Sequence, residues 1–568
     1  MSGAAVARRG RPPIFTLLAA ALVGALCLVF AYPMLFALVQ AATTVAAAPA
    51  GAMAGWSVPE LLRVLRDTCI VVGGGGAIAL AAGGAIACLN ERTDAALGAI
   101  GDLLPLIPLL LPPIAGVIGW AVLLDPSAGL LNAAMRTLLT PVGLAGDSGP
   151  LNIYTMPGLV AMTGLSLVPY VYLIVAAALR HLDPAIEEAA RVCGMRPFRV
   201  LLRVTLPSVA PALAAAFLVA LVAGLGLFSV PIVLGTGARI EVISVTIFRL
   251  LNSYPPNTAA ALVMAVLLSL AVQALLWAQG LIAPEARRAA LGGRGMRTAP
   301  LRLGKWRHPA RAFTILYLLL TGVLPIAAIA LTSLQQFWSP VVDWAGLTLD
   351  NYREVLLSNA TTRQALFNSF GLGSLVATLT IVIAAIVILP AGQGGGRIRH
   401  IASRVMTLPA TVPHTFVGVS LLLAFSVPPL RLYGSVALLG LAYLILSLPF
   451  SAQTVGAVAG GIGRELPEAA RVAGAGEGRT FGRVLLPLAL PGLLAGWIIV
   501  FVQSADELTA SAFLSGPSNP VIGRVLMDFW VFGNFPEVAA LALIMTLVNV
   551  VCIAVMRAFS RYALRRAR

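Results

Sequence analysis

Lysine is all but missing from this chain: Lys305 is the single one, although Lys and Arg together number 38 among 568 residues. No Gly-x-x-x-x-Gly-Lys-Ser/Thr run occurs, so the chain carries no phosphate loop and no site of that kind for ATP hydrolysis. Charged residues make up only 11% of the composition, too few for the surface of a soluble protein of this length. Five cysteines, Cys27, Cys69, Cys88, Cys193 and Cys552, sit mostly in apolar stretches with no paired spacing, so neither a disulfide framework nor a zinc site is indicated. There is no His-Glu-x-x-His and no cluster of His, Asp and Glu inside the apolar stretches, so a polytopic membrane enzyme finds no support and no metal ligand set is indicated. The net charge of +16 is scattered over many short segments without a basic groove interleaved with aromatics, so nucleic acid is not an expected partner.

What the chain has in excess is apolar length. Hydrophobic residues reach 59%, and the mean hydropathy is +0.94. About 20 residues cross the hydrocarbon core of a bilayer. On that measure twelve spans can be marked, at roughly 14–40, 68–89, 99–124, 153–179, 205–234, 258–282, 312–334, 367–390, 402–427, 432–457, 485–510 and 538–559. With both termini cytoplasmic, 29 of the 38 basic residues fall inside and 9 outside, whereas the 22 acidic residues divide 10 and 12. That asymmetry obeys the positive-inside rule and predicts a multi-pass, both-ends-in protein. The start, with Arg8, Arg9 and Arg11 before the apolar run, resembles a signal peptide, but the run is too long for an h-region and reads as an uncleaved first span. A cysteine probe at Gly293 is therefore expected to escape labelling from outside the cell, and one at Gly143 to be reached.

The spans occur as two copies of one pattern. Residues 188–215 and 468–495 agree at 14 of 28 positions with a constant offset of 280, including Glu188/Glu468, Gly194/Gly474, Arg203/Arg483, Pro207/Pro487 and Pro211/Pro491. Upstream the offset is 301, matching Pro108/Pro409 and Pro112/Pro413 inside spans 3 and 9, where kinks are expected at pathway-lining or purely structural bends. Span 3 also carries Pro105 and Pro113. Pairs Asp67-Thr68 and Asn368-Ser369 share that offset and suit N-caps of spans 2 and 8. Gly73–Gly76 with Gly83 and Gly84 predict close helix packing in span 2. The change of offset places about 21 extra residues around 126–151, and their Pro, Gly and Asn content predicts irregular surface structure open to an outside partner. Residues 283–311 hold eight basic residues and one Glu, and read as a cytoplasmic linker near anionic lipid. The domain division is thus 1–282 with a polar loop at 183–207, the linker 283–311, and 312–568 with its loop at 463–487. Six spans per half give both halves one orientation, hence an all-α pseudo-dimer of parallel repeats.

The doubled stretch carries a family resemblance. Glu188, Ala189, Ala190, Gly194, Val204, Leu206 and Pro207 meet in full the pattern Glu-Ala-Ala, three residues, Gly, nine residues, aliphatic, any, Leu-Pro, and Glu468, Ala469, Ala470, Gly474, Val484, Leu486 and Pro487 meet it again. This resembles the EAA loop of permeases in binding-protein-dependent ABC importers. The resemblance implies the type I importer permease fold with twelve transmembrane helices and a fused, two-half chain in the bacterial inner membrane. It also implies two copies of a cytoplasmic ATP-binding subunit and an extracytoplasmic solute-binding protein as partners; ATP is bound by those subunits, with no cofactor in this chain. By the same resemblance the small-residue face of each loop docks in a groove of the ATPase. Pro184 and Pro467 suit the loop helix starts, Glu187, Glu188, Glu465 and Glu468 the positive end of the helix, and Gly194 and Gly474 its stop. Major-facilitator carriers also have parallel repeats, but residues 90–98 lack their Gly/Asp/Arg/Gly/Arg signature and their halves carry no EAA loops. Segments Phe228 to Gly235, Arg239 to Val242, Leu347 to Tyr352 and Glu507 to Ala510 resemble the ferric iron importer group, while polyamine, phosphonate and thiamine permeases share the overall plan.

One chemical asymmetry remains. Asp506 and Glu507 end span 11, where the aligned positions of span 5 are Gly226 and Leu227. Charge near the membrane interior is costly and usually faces protein or water, so this pair is a candidate contact for a cationic solute, with Arg524 as the alternative partner. His414 beside Pro413 is either a transient metal contact or a hydrogen-bonded packing residue.

Overall fold

The computed structural model describes residues 14–47, 57–98, 108, 111–142, 149–290, 300–390, 397–428, 430–463 and 465–566. Pro105 and the labelling sites Gly143 and Gly293 lie outside them. The described residues are helical throughout apart from turns and one isolated bridge between Thr93 and Leu301. Nine helices are long and apolar enough to cross a membrane, and up to twelve spans result if each of three sharply bent pairs counts as one. In spans 5 and 9 the bend falls inside the span: 65° between Phe198–Ser208 and Ala210–Gly226, and 98° between Ile401–Thr411 and His414–Ala424. Span 3 is described as the short helix Pro113–Leu124. The kinks follow from proline, which lacks an N–H and clashes with the preceding turn. Pro112 and Pro413, matched in the repeat, each stand immediately before a new helix.

Each half lends its first span to the other. Leu26 of span 1 (Ile14–Ala47) packs with Ile381, Val455 and Leu493 of the second half, and Tyr32 meets Phe425 edge-on at 6.0 Å. Span 7 (Arg307–Ser333) packs on Pro113–Leu124 of the first half so closely that a Cβ on Gly119 would lie 2.6 Å from the Pro325 carbonyl, and Trp120 Nε1 donates to Leu320 O at 3.0 Å. Buried residues of both halves, among them Ile118, Phe228, Ala328, Leu508 and Met545, form one core. The halves are interlocked rather than merely tethered.

The glycine stripe of span 2 (Val58–Arg92) packs against span 4 (Met156–His181), as expected from its composition. Added Cβ atoms at Gly74, Gly75 and Gly83 would fall within 3 Å of Val160, Thr163 and the Val168 carbonyl, whereas Gly73 has open space.

The proposed N-caps of spans 2 and 8 are corrected. Span 2 starts at Val58 under a Ser57/Glu60 capping box, and span 8 (Ala360–Ile388) starts after Asn359, so Thr68 and Ser369 lie well inside their helices. Their equivalence nevertheless has a physical cause. After each of spans 5 and 11 come two short helices, Pro231–Ala238 with Ile243–Asn252, bent by 83° to each other, and Thr509–Leu514 with Ile522–Phe532. The Thr68 hydroxyl accepts the Ile243 N–H at 3.0 Å, and the Ser369 hydroxyl accepts the Ile522 N–H at 2.9 Å. A buried helix start has no water for its orphan donors, so a hydroxyl from a neighbouring span supplies the acceptor. Ser369→Ala is expected to cost about 1–3 kcal/mol, visible as a lower thermal midpoint of the detergent-purified protein; an unchanged midpoint would contradict this role.

Two loop expectations also change. The insertion at 126–151 is not irregular throughout: Leu130–Leu139 is an amphipathic helix held by Asn132, which bonds Asp125 O and both backbone groups of Leu151. Span 6 runs from Thr258 to Ala290, so the first eight residues of 283–311 continue a helix, and span 7 begins at Arg307 inside the same stretch.

Candidate functional site

Each doubled loop folds as a short helix, a reversal and a second helix that feeds the next span. In the first copy Asp183 caps Pro184–Val192 by accepting the Ala185 N–H at 2.9 Å, with Pro184 at the first helical position as its fixed φ favours. Gly194 then takes φ +80°, its N–H donates to Arg191 O at 2.9 Å, and Met195 N–H donates to Ala190 O at 3.1 Å. The second copy repeats this with φ +82° at Gly474, Gly474 N–H to Arg471 O and Ala475 N–H to Ala470 O, both 2.9 Å. These are the two bonds that close a helix through a left-handed residue, and glycine adopts that conformation without steric cost. Pro467 does not start its helix as expected: the helix runs Glu465–Val472, and Pro467 is buried in its first turn.

Beyond the reversal both copies widen to a π turn, Leu201–Thr205 and Phe481–Leu485, again at an offset of 280. Pro207 and Pro487 explain it, since neither can donate to the carbonyl four residues back and each ring presses on that turn. Composition alone gave no sign of the π turns.

The outward faces of the two loops match. Glu188, Ala189 and Gly194 are exposed and Ala190 is half-buried; Glu468, Ala469, Gly474 and Ala470 have the same standing, and Pro207 and Pro487 are exposed. Beside the alanines stand apolar side chains that the motif does not single out, Ile186 with Val192 and Leu466 with Val472, the two valines 88% and 90% exposed. Apolar residues at such exposure, clustered at matching places, mark a surface made for a partner. A signal was present in the offset, because 186/466 and 192/472 both pair aliphatic residues.

Behind that face the copies differ. Glu187 stands in the first turn of its helix as expected, and it is buried. It accepts the Thr205 hydroxyl at 2.7 Å and pairs with Arg92 at 3.5 Å, and Arg92 also donates to the carbonyls of Leu179 and Leu182 at 2.6 and 3.3 Å. The first loop is thereby pinned to the ends of spans 2 and 4. Position 467 of the second loop is proline, so this ion pair has no counterpart there.

The acidic pair at the end of span 11 (Glu477–Ala505) lies in the seam between the halves: Ala505 and Leu508, on either side of it, belong to the core that both halves share. The two carboxylates diverge. Asp506 accepts Asn549 Nδ2 at 2.6 Å from span 12 (Phe535–Arg566), while its Oδ1 and the Asn549 Oδ1 are buried without a hydrogen-bond partner. Glu507 accepts the Ala510 N–H at 3.0 Å and stands 3.3 Å from His414 Nδ1. Arg524 is not their partner; it pairs with Asp528 at 2.9 Å and donates to Ala512 O. His414 thus faces Glu507, and among the described residues no group of three or more His, Cys, Asp or Glu could hold a metal ion. Next to this turn Phe228 and Phe248 of the first half, 5.6 Å apart, meet Phe513 of the second at 6.1 and 5.8 Å between ring centroids, an apolar closure of the seam.

The Asp506–Asn549 geometry makes a prediction. In Asp506→Asn the new amide nitrogen can donate to Asn549 Oδ1, so stability and transport are expected to stay near wild type. Asp506→Leu leaves the buried amide of Asn549 without a partner at a cost of about 1–3 kcal/mol. Loss of transport in Asp506→Asn with the fold intact would instead assign the work to the charge of Asp506.

A membrane-embedded, two-half transport subunit with a matching exposed loop in each half is the class that this fold and these loops define. The chain belongs to the family described as the binding-protein-dependent transport system inner membrane component, whose model matches residues 75–288 and again 381–568. Among similar proteins, the probable ABC transporter permease protein y4fN of Sinorhizobium fredii is 29% identical over 407 residues, 70% of each chain. The putative ferric transport system permease protein FbpB 1 of Haemophilus influenzae is 25% identical over 464 residues, 80% of this chain and 70% of its own length. The spermidine/putrescine transport system permease protein PotC of the same species is 29% identical over 220 residues, 39% of this chain and 84% of its own. The protein is a multi-pass ABC importer permease, a transport subunit of a family that works with ATP-binding subunits and a substrate-binding protein.

Proposed function

We propose that this chain forms the entire transmembrane pathway of its importer and seats two ATP-binding subunits, one on each loop. The carrying observation is the repeated exposed face, Ile186, Ala189 and Val192 in one half and Leu466, Ala469 and Val472 in the other. Small and apolar side chains allow a partner to approach the loop backbone closely, and the glycine reversal aims the helix away from the membrane. Glu188, Ala189, Ala190, Gly194 and Pro207, with Glu468, Ala469, Ala470, Gly474 and Pro487, carry the coupling. ATP is bound and hydrolysed by the partner subunits, in keeping with the missing phosphate loop. Both loops, both termini and the linker face the cytoplasm of a bacterial inner membrane, and the binding protein delivers solute to the opposite face.

The solute in this proposal is ferric iron. Its support is the ferric permease match, which extends over 80% of this chain, through both halves, whereas the PotC match covers 39%. Glu507 places an acid at the seam that a cationic solute would cross, where the aligned position of the first half is Leu227. The direct test is the double variant Val192→Glu/Val472→Glu, which puts charge on both docking faces. It is expected to lose the ATP-binding subunit in co-purification while the membrane part stays monodisperse; undiminished retention would refute the docking face. Iron(III) and spermidine uptake, compared in cells with and without the chain, decides the solute. Orientation is checked by impermeant thiol labelling of single-cysteine variants in intact cells, where Thr137→Cys should react and Glu477→Cys should not.

A further inference from the structure

We propose that residues 301–311 are a positioning clamp that joins the first coupling loop to the second half, rather than a passive end of the linker. The inference rests on the docking of ATP-binding subunits at the loops. Leu301 runs parallel to Thr93 as an isolated bridge: its N–H donates to Arg92 O at 2.8 Å and its carbonyl accepts Asp94 N–H at 3.1 Å. Leu303 N–H donates to Asp94 Oδ1 at 3.0 Å. Arg311, in the first turns of span 7, reaches across to the carbonyls of Asp94, Ala95 and Ala96 at 3.3, 3.3 and 3.5 Å. Arg92, the residue at the root of this strap, is the one that holds Glu187 and the carbonyls closing span 4.

A continuous chain of bonds therefore runs from the first loop through Glu187, Arg92 and Asp94 to the base of span 7. Span 7 in turn packs on the first half through Gly119 and Trp120. When the first loop moves with its ATPase, the displacement reaches spans 5 and 7 together, one from each half. Passage of force through the loop's own span alone would need none of these bonds. A tether needs only length; main-chain pairing and an arginine over three carbonyls fix position instead.

The test compares Asp94→Ala, which removes the acceptor for Leu303, with Asp94→Asn, which keeps an oxygen there. Full complexes are reconstituted in proteoliposomes, and iron(III) taken up per ATP hydrolysed is measured beside retention of the ATP-binding subunit. Asp94→Ala and Leu301→Pro are expected to lower uptake per ATP by about two- to thirtyfold with the subunit retained, Asp94→Asn to remain near wild type, and a flexible insertion after Gly293 to have no effect. Wild-type uptake per ATP in Asp94→Ala would overturn the clamp. In a background without the native cysteines, a disulfide between Thr93→Cys and Leu301→Cys is expected to leave transport intact, because the strap does not open during the cycle; inhibition on oxidation would overturn it. If the wild-type chain itself holds no ATP-binding subunit, the docking reading fails first and the clamp falls with it.

Discussion

Gly474→Val is expected to cut coupled transport severely while the membrane part stays folded. A Cβ at Gly474 meets nothing within 4 Å, so crowding is not the reason. The cost lies in the backbone, which sits at φ +82°. A residue with a Cβ pays about 1–2 kcal/mol in the left-handed region, and a β-branched side chain more. That strain opens the bonds from Gly474 to Arg471 and from Ala475 to Ala470, which set the angle between the docking helix and the helix feeding span 11. The fold loses little, because the loop is exposed and far from the shared core. Uptake is expected to fall about tenfold or more, since 1.4 kcal/mol is a factor of ten. Gly474→Asn separates backbone from contact: asparagine tolerates the left-handed region, so it should keep most of the transport. Equal loss in both variants, or wild-type transport in Gly474→Val, would show that the reversal does not set the docking angle. The same contrast at Gly194, φ +80°, should give the smaller effect, because Glu187 and Arg92 hold that loop independently.

The periodic and repeated features were legible in the amino-acid sequence. Apolar length found the spans, the offset of 280 found both loops, and Gly194 and Gly474 predicted their left-handed reversals, because each of these depends on local chemistry that a residue type expresses wherever it stands. What depends on distant partners was not legible. Thr68 and Ser369 were matched through the repeat, yet as supposed caps of their own helices; their real acceptor role needs Ile243 and Ile522, more than 150 residues away. The short helices after spans 5 and 11 were not foreseen, and the marked spans stopped at 234 and 510, since a short apolar helix carries no mark of whether it crosses or turns back. Arg524 was offered to the acidic pair on proximity in sequence, but its helix turns it to Asp528 four residues on. Glu187 resembled an ordinary first-turn acid until Arg92 closed over it.

Glu187→Leu is expected to be the most destabilising single change in the first half. It removes the carboxylate paired with Arg92, whose side chain is 7% exposed, while the buried guanidinium keeps its bonds to the Leu179 and Leu182 carbonyls. Removing one member of a buried pair costs about 3–5 kcal/mol, more than a typical whole-residue truncation on the surface. Thr205 loses the acceptor for its hydroxyl at the same time, just where the π turn needs to be held. The expected result is a sharp fall in the thermal midpoint and in the yield of monodisperse protein, with transport lost. Arg92→Met added to Glu187→Leu removes the buried cation as well and should recover part of the loss. Recovery is incomplete because the carbonyls of Leu179 and Leu182 then lack the donor that closes span 4, at about 1–3 kcal/mol. The order of stability is therefore wild type, then the double variant, then Glu187→Leu alone. A single variant as stable as the double would mean that Arg92 is satisfied without Glu187, and the first loop would be no more firmly held than the second, where proline stands at 467.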